Sequence, residues 1–235
     1  MAYIKIEDCN LNYEVNNVGF NSIKKVMINS LRIKSKKNKI IVNSLKNINL
    51  KIYDSEKVGF VGSNGSGKTS LLKIIAGIYE PSVGKIETEG KISAYISNSS
   101  LLNPELDAIQ NIKSYCLFNK VKKEELDNVI SYVTDFSELG NFMFMPINTY
   151  SAGMQARLNF SLATSFVNDI ILIDEGLGTG DKDFQIKAKK KISDLIDNSK
   201  IFVFANHNVK QVREFGCNRI ITLDKGVIIS DQRFD

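Results

Sequence analysis

Short stretches of alternating apolar and polar residues fill the first part of the chain. Ile4 to Ile6, Ile23 to Ile33 and Ile48 to Ile52 show the period of half-buried strands. A more continuous apolar strand follows from Lys57 to Val61. The pattern predicts an early layer of antiparallel strands, followed along the chain by a buried strand.

The pattern changes to helical periodicity between Leu106 and Phe144, where no convincing strand is visible. Because strands that alternate with helices indicate a mostly parallel sheet with covered faces, we expect such a sheet in the last third of the chain. The predicted helices are Ala108 to Phe118, Lys122 to Val133, Ser151 to Phe166 and Asp181 to Asp197, with a short one after the strand that ends at Ala205. The predicted later strands are Ile170 to Asp174, Lys200 to Ala205, Arg219 to Leu223 and Gly226 to Ser230.

No stretch of the chain combines the length and apolarity of a membrane-spanning helix, which needs about 20 apolar residues. The longest apolar runs, Ile170 to Ile173 and Ile201 to Ala205, have the length of strands. The N-terminus lacks the apolar core of a signal peptide. We therefore expect a chain that starts in the cytosol and does not span a bilayer by itself.

The proportions of hydrophobic and charged residues, 43% and 24%, are those of an ordinary globular protein, and the net charge is +5. Seven basic residues lie between Lys24 and Lys39, and they form either a solvated arm or a surface that attracts anionic lipid headgroups or a membrane partner. The only histidine is His207, and the cysteines Cys9, Cys116 and Cys217 are scattered. We therefore expect no zinc site and reduced thiols.

One loop carries the strongest chemical prediction. Gly62 is followed, after four residues, by Gly67-Lys68-Thr69, between a predicted strand and a predicted helix, as a phosphate-binding loop requires. In such a loop, backbone N–H groups and the helix N-terminus hold phosphate oxygens, the lysine contacts the β- and γ-phosphates, and the Thr69 hydroxyl ligates Mg²⁺. The alternative is a chance match in a glycine-containing turn. The predicted nucleotide contacts are Gly62, Ser63, Asn64, Gly65, Ser66, Gly67, Lys68, Thr69 and Ser70.

Two acidic residues follow the apolar strand that begins at Ile170. Asp174, at the strand tip, is predicted to enter the Mg²⁺ shell, and Glu175 to be the general base that orients water on the γ-phosphate. Alone this pattern is weak, because buried strands often end in an acid for structural reasons. Combined with the phosphate loop on the same predicted sheet, it indicates ATP hydrolysis.

A third segment names a family. Residues 150–157, Tyr-Ser-Ala-Gly-Met-Gln-Ala-Arg, resemble the LSGGQ-type signature of ABC ATPases. Gly180-Asp181 resembles the D-loop of that family, and Asn206-His207 resembles its switch histidine. The motifs occur in the family's order and cover nearly the whole chain. The resemblance implies a single ABC ATPase domain over residues 1–235. Its α/β phosphate-loop cassette has a mostly parallel core sheet, an N-terminal antiparallel β layer and an inserted helical subdomain at about 100–150.

The resemblance also implies that two copies bind two ATP molecules head to tail. Ser151 and Gly153 of one copy are then expected to face the γ-phosphate held by the other, since Ser151 is a good N-cap and Gly153 leaves backbone N–H groups exposed. An ordinary capped helix is the alternative. His207 is implied to sense the γ-phosphate and to act with Glu175 and Lys68 in catalysis. Tyr13 resembles the aromatic that stacks on adenine, and a core or surface tyrosine is the alternative.

The signature most resembles that of exporters of capsule, O-antigen or teichoic-acid polymers. This subgroup implies a homodimer on the cytoplasmic face of the cell membrane, a polytopic transmembrane permease as partner, and no nucleic acid. One departure concerns the Q-loop, because residues 94–102 contain no glutamine. Asn98 is the candidate replacement as a Mg²⁺ ligand, with a water molecule as the alternative. Two other functions stay open: a soluble ABC ATPase that acts on ribosomes or DNA, and a nucleotide-binding regulatory scaffold.

Overall fold

The computed structural model describes residues 1–16, 33–36, 39–96, 102–166, 168–174 and 181–234. The strands in these ranges are β1 (Tyr3–Asn16), β2 (Ile33–Lys36), β3 (Lys39–Tyr53), β4 (Lys57–Val61), β5 (Val83–Glu89), β6 (Ile92–Tyr95), β7 (Ile170–Ile173), β8 (Ile201–Asn206), β9 (Arg219–Asp224) and β10 (Val227–Arg233). The α-helices are α1 (Lys68–Ile75), α2 (Ala108–Phe118), α3 (Leu126–Ser137), α4 (Ala152–Ala163), α5 (Lys182–Asn198) and α6 (Val209–Glu214). Three short 3₁₀ turns span Lys123–Glu125, Gly140–Phe144 and Ile147–Thr149.

The N-terminal strands form an antiparallel sheet in the order β2-β3-β1-β5. The predicted antiparallel layer is therefore confirmed. The part of the Ile23 to Ile33 prediction before Ile33 lies outside the described residues, and Ile33 itself begins β2. Strand β5 was not predicted, because its side chains are almost all exposed and carry no apolar alternation.

The second sheet has six strands in the order β10-β9-β4-β8-β7-β6, and only β10 runs antiparallel to its neighbour. This confirms the predicted mostly parallel sheet. Its central strands are buried on both faces, which explains their continuous apolar sequences. Val61 pairs with Asn206 and Ile173 with Phe204, so the residues that follow β4, β7 and β8 lie along one edge.

A separate apolar core lies under the helices of residues 102–163. Val133 of α3 and Ile112 of α2 pack there together with Leu158 and Leu162 of α4. The boundaries of the helical subdomain stay a prediction, since this core includes α4 as well. Within the described ranges, no helix has the combination of length and apolarity that crossing a membrane requires.

Helix α4 ends at Ala163, three residues before the predicted end. The cause lies in the two hydroxyl residues that follow. Thr164 Oγ1 donates to the carbonyl of Phe160 and Ser165 Oγ to that of Leu162, at 2.7 Å each. Side chains that bond nearby carbonyls in this way compete with continuation of the helix.

A buried arginine ties the C-terminal hairpin to the rest of the domain. Arg219, at the start of β9, donates from Nε and Nη2 to the two carboxylate oxygens of Asp231 at 2.8 and 2.7 Å. Its Nη1 donates to Glu56 at 3.0 Å and to the Lys51 carbonyl at 2.8 Å. The hydrogen bond and charge of the guanidinium lower the pKa of the Asp231 carboxyl below its ordinary value of 3.8.

The Asp231–Arg219 pair predicts a pH-dependent contribution to stability. Because the folded-state pKa of Asp231 is depressed, its contribution is fully present above pH 3.8 and is lost as the pH falls through the folded value. We expect Asp231→Asn to lower the free energy of unfolding at pH 7 and to match the wild type at the most acidic pH at which both remain folded. Urea unfolding at a series of pH values measures this, with the exposed Asp194→Asn as control. An equal loss at every pH would contradict it.

Candidate active site at the carboxyl edge of the parallel sheet

The loop from Gly62 to Thr69 joins β4 to α1 and has backbone geometry that requires glycine at two positions. Gly67, the N-cap of α1, has a φ of 113°, which glycine adopts without strain. At Gly62, a Cβ would lie 2.3 Å from the carbonyl oxygen of Leu223. No side chain caps the first N–H groups of α1. A helix start of this kind favours an anion.

The turn between β9 and β10 is hydrogen-bonded to the phosphate loop. The backbone N–H of Gly226 donates to the carbonyl of Ser66 at 2.8 Å, and the Gly226 carbonyl accepts from the N–H of Lys46 at 2.7 Å. The loop is thus fixed to β3 and to the last hairpin as well as to β4. Sequence reasoning did not find this support, since backbone bonds between distant turns leave no motif.

Lys68 is buried in the mouth of the loop. Its side chain folds back so that Nζ donates to the carbonyl oxygens of Gly62 and Ser63 at 2.8 and 3.2 Å, and the residue is only 5% exposed. A buried ammonium is stable only with such partners. The loop therefore holds a positive charge against its own backbone.

Two predicted magnesium ligands meet across the loop. Thr69 Oγ1 donates to Asp174 Oδ2 at 2.6 Å, although the residues are far apart in the chain. Asp174 is 3% exposed, and its backbone N–H donates to the carbonyl of Tyr95 in the neighbouring strand. A hydroxyl and a carboxylate oxygen are the hard ligands that Mg²⁺ prefers, so this pair fits that ion. The third predicted ligand, Asn98, and the predicted general base, Glu175, lie outside the described residues and stay predictions.

His207 follows β8 directly at the same edge of the sheet. Its preceding residue, Asn206, pairs with Val61, which precedes the phosphate loop. The histidine is exposed, and Asn206 Oδ1 accepts from the N–H of Asn208 just beyond it. The register therefore puts His207 just beyond the end of the strand next to β4, as predicted, while its role as a phosphate sensor stays a prediction.

Tyr13 of β1 is attached to the helix that follows the loop. Its hydroxyl lies 3.1 Å from Ser70 Oγ, which in turn lies 2.7 Å from Ser44 Oγ. Tyr79 packs its ring edge-on against the Tyr13 ring, with 5.6 Å between the centroids. The predicted adenine-stacking residue thus lies beside α1, bonded to Ser70 and packed against Tyr79. Sequence reasoning did not identify Tyr79, or Ser44 as the second partner of Ser70.

The start of α4 faces a different cavity. Ser151 is its N-cap and accepts from the N–H of Met154 at 3.2 Å, which leaves the hydroxyl proton able to donate. A Cβ on Gly153 would meet only Ser151 Oγ, at 3.9 Å, so this helix end is open. The cavity beside it measures about 570 Å³, and its lining residues are Glu138, Leu139, Phe142, Ser151, Gly153, Met154, Arg157 and Asp181. No residue from Gly62 to Thr69 lines this particular cavity.

Comparison with known proteins identifies the family. A family model described as "ABC transporter" matches residues 45–178. The chain is 40% identical over 192 residues to the O-antigen export system ATP-binding protein RfbE of Yersinia enterocolitica, covering 82% of this chain and 80% of that protein. It is 34% identical over 185 residues to the teichoic acids export ATP-binding protein TagH of Shouchella clausii (strain KSM-K16), covering 79% of this chain. The chain spans about half the length of this second relative, 51%.

Solved structures show the same fold. A dimeric ATP-binding cassette in a post-hydrolysis state, bound to ADP and Pi, superimposes with a TM-score of 0.74 at 23% identity over 99% of both chains. A dimeric bacterial ABC transporter cassette gives 0.68 at the same identity and coverage. The cassette fold predicted from the sequence is confirmed, and so is the family predicted from its motifs. The chain belongs to the ABC transporter family and is one of its ATP-binding ATPase subunits.

Proposed function

We propose that this chain binds and hydrolyses ATP to power the export of a cell-surface polysaccharide or glycolipid-linked polymer. The observation that carries the proposal is the phosphate loop with Lys68 buried in its mouth and Asp174 bonded to Thr69 across it. The class of cargo is supported by two relatives whose names assign them to O-antigen and teichoic acid export.

ATP binding follows from groups that the loop already presents. The loop N–H groups and the N-terminus of α1 attract the phosphates. Lys68 exchanges its bonds to the Gly62 and Ser63 carbonyls for bonds to phosphate oxygens, which are stronger acceptors because they are charged. Tyr13 offers its ring to the base. Stacking tolerates any purine, so the preference for ATP over GTP is expected to be weak.

Hydrolysis needs a positioned water and a stabilised phosphoryl group. Thr69 and Asp174 would hold Mg²⁺, which neutralises charge that develops on the phosphates. Glu175 follows Asp174 directly in the chain and is the proposed base that orients the attacking water. His207, at the end of the neighbouring strand β8, is the proposed sensor of the γ-phosphate. Lys68 stabilises the transferring phosphoryl group by its charge.

The active unit is proposed to be a homodimer. The phosphate loop does not line the described cavity beside Ser151 and Gly153, which supports an arrangement in which the partner subunit's loop supplies the nucleotide that they contact. Contacts that only the ATP state offers would shift the pair from open to closed, and hydrolysis would reopen it. The proposed receiver of this motion is a polytopic transmembrane permease, which the dimer would contact at the cytoplasmic face of the membrane. The dimeric state of the solved cassettes supports the arrangement.

Substituting the proposed base tests the function most simply. We expect Glu175→Gln to bind Mg-ATP normally, to lose nearly all turnover, and to accumulate as an ATP-bound dimer because the γ-phosphate persists. Steady-state phosphate release and sedimentation velocity measure the two effects, with the exposed Glu214→Gln as the matched control. If the Glu175→Gln enzyme hydrolyses ATP at the wild-type rate, the base assignment is wrong.

Two substitutions separate stacking from anchoring at Tyr13. Tyr13→Ala should weaken ATP binding roughly tenfold, the usual size of base–aromatic stacking, and leave tripolyphosphate binding unchanged. Tyr13→Phe keeps the ring and loses the contact with Ser70, so most of the affinity should remain. Calorimetry with both ligands measures this, and the exposed Tyr53→Ala is the control. Equal losses for ATP and tripolyphosphate would instead indicate a structural tyrosine.

A further inference from the structure

We propose that Arg157 is a positioning residue that fixes the Ser151 end of α4 through a charged clamp. The clamp consists of Arg157 on α4, Glu138 at the end of α3, Asp181 at the start of α5, and Lys187 on α5. It sets where the helix end meets the partner's nucleotide. The inference rests on the proposed function, because it assigns a role within the same composite site.

Arg157 is the centre of the clamp. Its Nη1 donates to the Ser137 carbonyl and to Glu138 Oε2 at 3.4 Å each, and its Nη2 donates to Asp181 Oδ2. The guanidinium carbon lies 5.0 Å from the centre of the Phe184 ring. The side chain is only 19% exposed. One planar cation therefore links three helices, a geometry that a lysine cannot reproduce.

Lys187 completes the clamp from α5. Its Nζ donates to Glu138 Oε1 at 2.6 Å and to the Phe136 carbonyl at 3.1 Å, and it lies 4.6 Å from the centre of the Phe136 ring. Glu138 thus receives one cation on each carboxylate oxygen, one from α4 and one from α5. The end of α3 is fixed to both neighbouring helices through this carboxylate and through the Ser137 and Phe136 carbonyls.

Asp181 both caps α5 and pairs with Arg157. Its Oδ1 accepts from the N–H of Phe184 at 2.9 Å and caps α5, while its Oδ2 accepts from Arg157. These two hydrogen bonds lower the pKa of Asp181, and Lys187, followed by Arg157, lowers the pKa of Glu138. Both carboxylates are therefore charged at neutral pH. They are more than half exposed, so salt screens the clamp, and its role is placement rather than bulk stability.

The position of the clamp on α4 gives it a functional consequence. Arg157 lies six residues after Ser151, about 9 Å along the helix at the usual rise per residue. Arg157, Glu138 and Asp181 line the same 570 Å³ cavity as Ser151 and Gly153. The clamp therefore forms part of the wall of the space that the partner's phosphate has to enter. Because catalysis is sensitive to misplacement of about 1 Å, loss of the clamp should act on closure and turnover.

The test uses the hydrolysis-dead Glu175→Gln chain as its parent. Adding Arg157→Met should leave the affinity of the single chain for Mg-ATP unchanged and weaken ATP-driven dimerisation about tenfold, the size of coupling expected between contacting residues. Arg157→Lys should recover part of the loss. Arg213→Met is the matched control, since Arg213 also lies over a phenylalanine ring, that of Phe234, but belongs to α6. With Glu175 intact, Arg157→Met should lower kcat and leave KM for ATP nearly unchanged.

If the Arg157→Met chain dimerises as tightly as its parent, the proposed role of the clamp is wrong. The proposed function is then unaffected. A parent that does not dimerise in saturating Mg-ATP would overturn both. If the Arg157→Met chain does not fold, Asp181→Asn carries the same test. Asparagine is an equally good N-cap, so α5 keeps its cap while the ion pair is lost. Weaker dimerisation of Asp181→Asn would support the clamp, and unchanged dimerisation would contradict it.

Discussion

The parallel pairing of β4, β8 and β7 is the constraint on which the rest of the site depends. These strands are mostly apolar and buried, so the hydrophobic effect holds them inside the domain. Their parallel backbone pairing sets the register. The segments that leave their carboxyl ends then share one edge, as ligand sites in open α/β sheets do. The hydrogen bond from Thr69 to Asp174 is the direct result, since it joins residues that only this pairing brings together. Nucleotide chemistry becomes possible at that edge because Lys68 is already buried beside it.

Helix α4 connects this edge to the helical part of the molecule. Phe160 packs into the core of the parallel sheet, edge-on to Phe184 of α5 with 5.8 Å between ring centroids. Leu158 and Leu162, on the other side of the helix, belong to the core beneath α2 and α3. Because α4 is buried on two sides, any shift of the helix would disturb the packing of at least one of these cores. Its open Ser151 end is thus presented on a rigid support, and the Arg157 clamp strengthens that support where both cores end.

The sequence predicted those elements whose formation depends on residues close to one another in the chain. The glycine turn, the Ser151 cap and the helix from Ala108 to Phe118 all depend on neighbouring residues, and the structure has each of them at the predicted position. Strand β5 was missed because it forms by pairing with β1 and has no apolar pattern of its own. The clamp was missed for a related reason. Arg157 was visible inside a motif, but its partners come from other helices, and charge pairs distant in sequence leave no periodicity. The roles of Glu175 and Asn98 rest on sequence position alone.

If each ATP site combines the phosphate loop of one chain with the Ser151 helix end of the other, cross-linking between two chains tests it most directly. Asn64 in the phosphate loop and Ala152 beside the signature serine are exposed, whereas Cys9, Cys116 and Cys217 are buried. Burial also raises the pKa of the Cys217 thiol to about 12, so it should react slowly. Chains carrying Glu175→Gln with Asn64→Cys and chains carrying Glu175→Gln with Ala152→Cys, each with its own tag, are mixed and treated with a short bismaleimide. The account predicts a cross-link between the two tagged chains that appears with Mg-ATP and is absent without nucleotide. Cross-links only between identical chains, or none in saturating Mg-ATP, would contradict it.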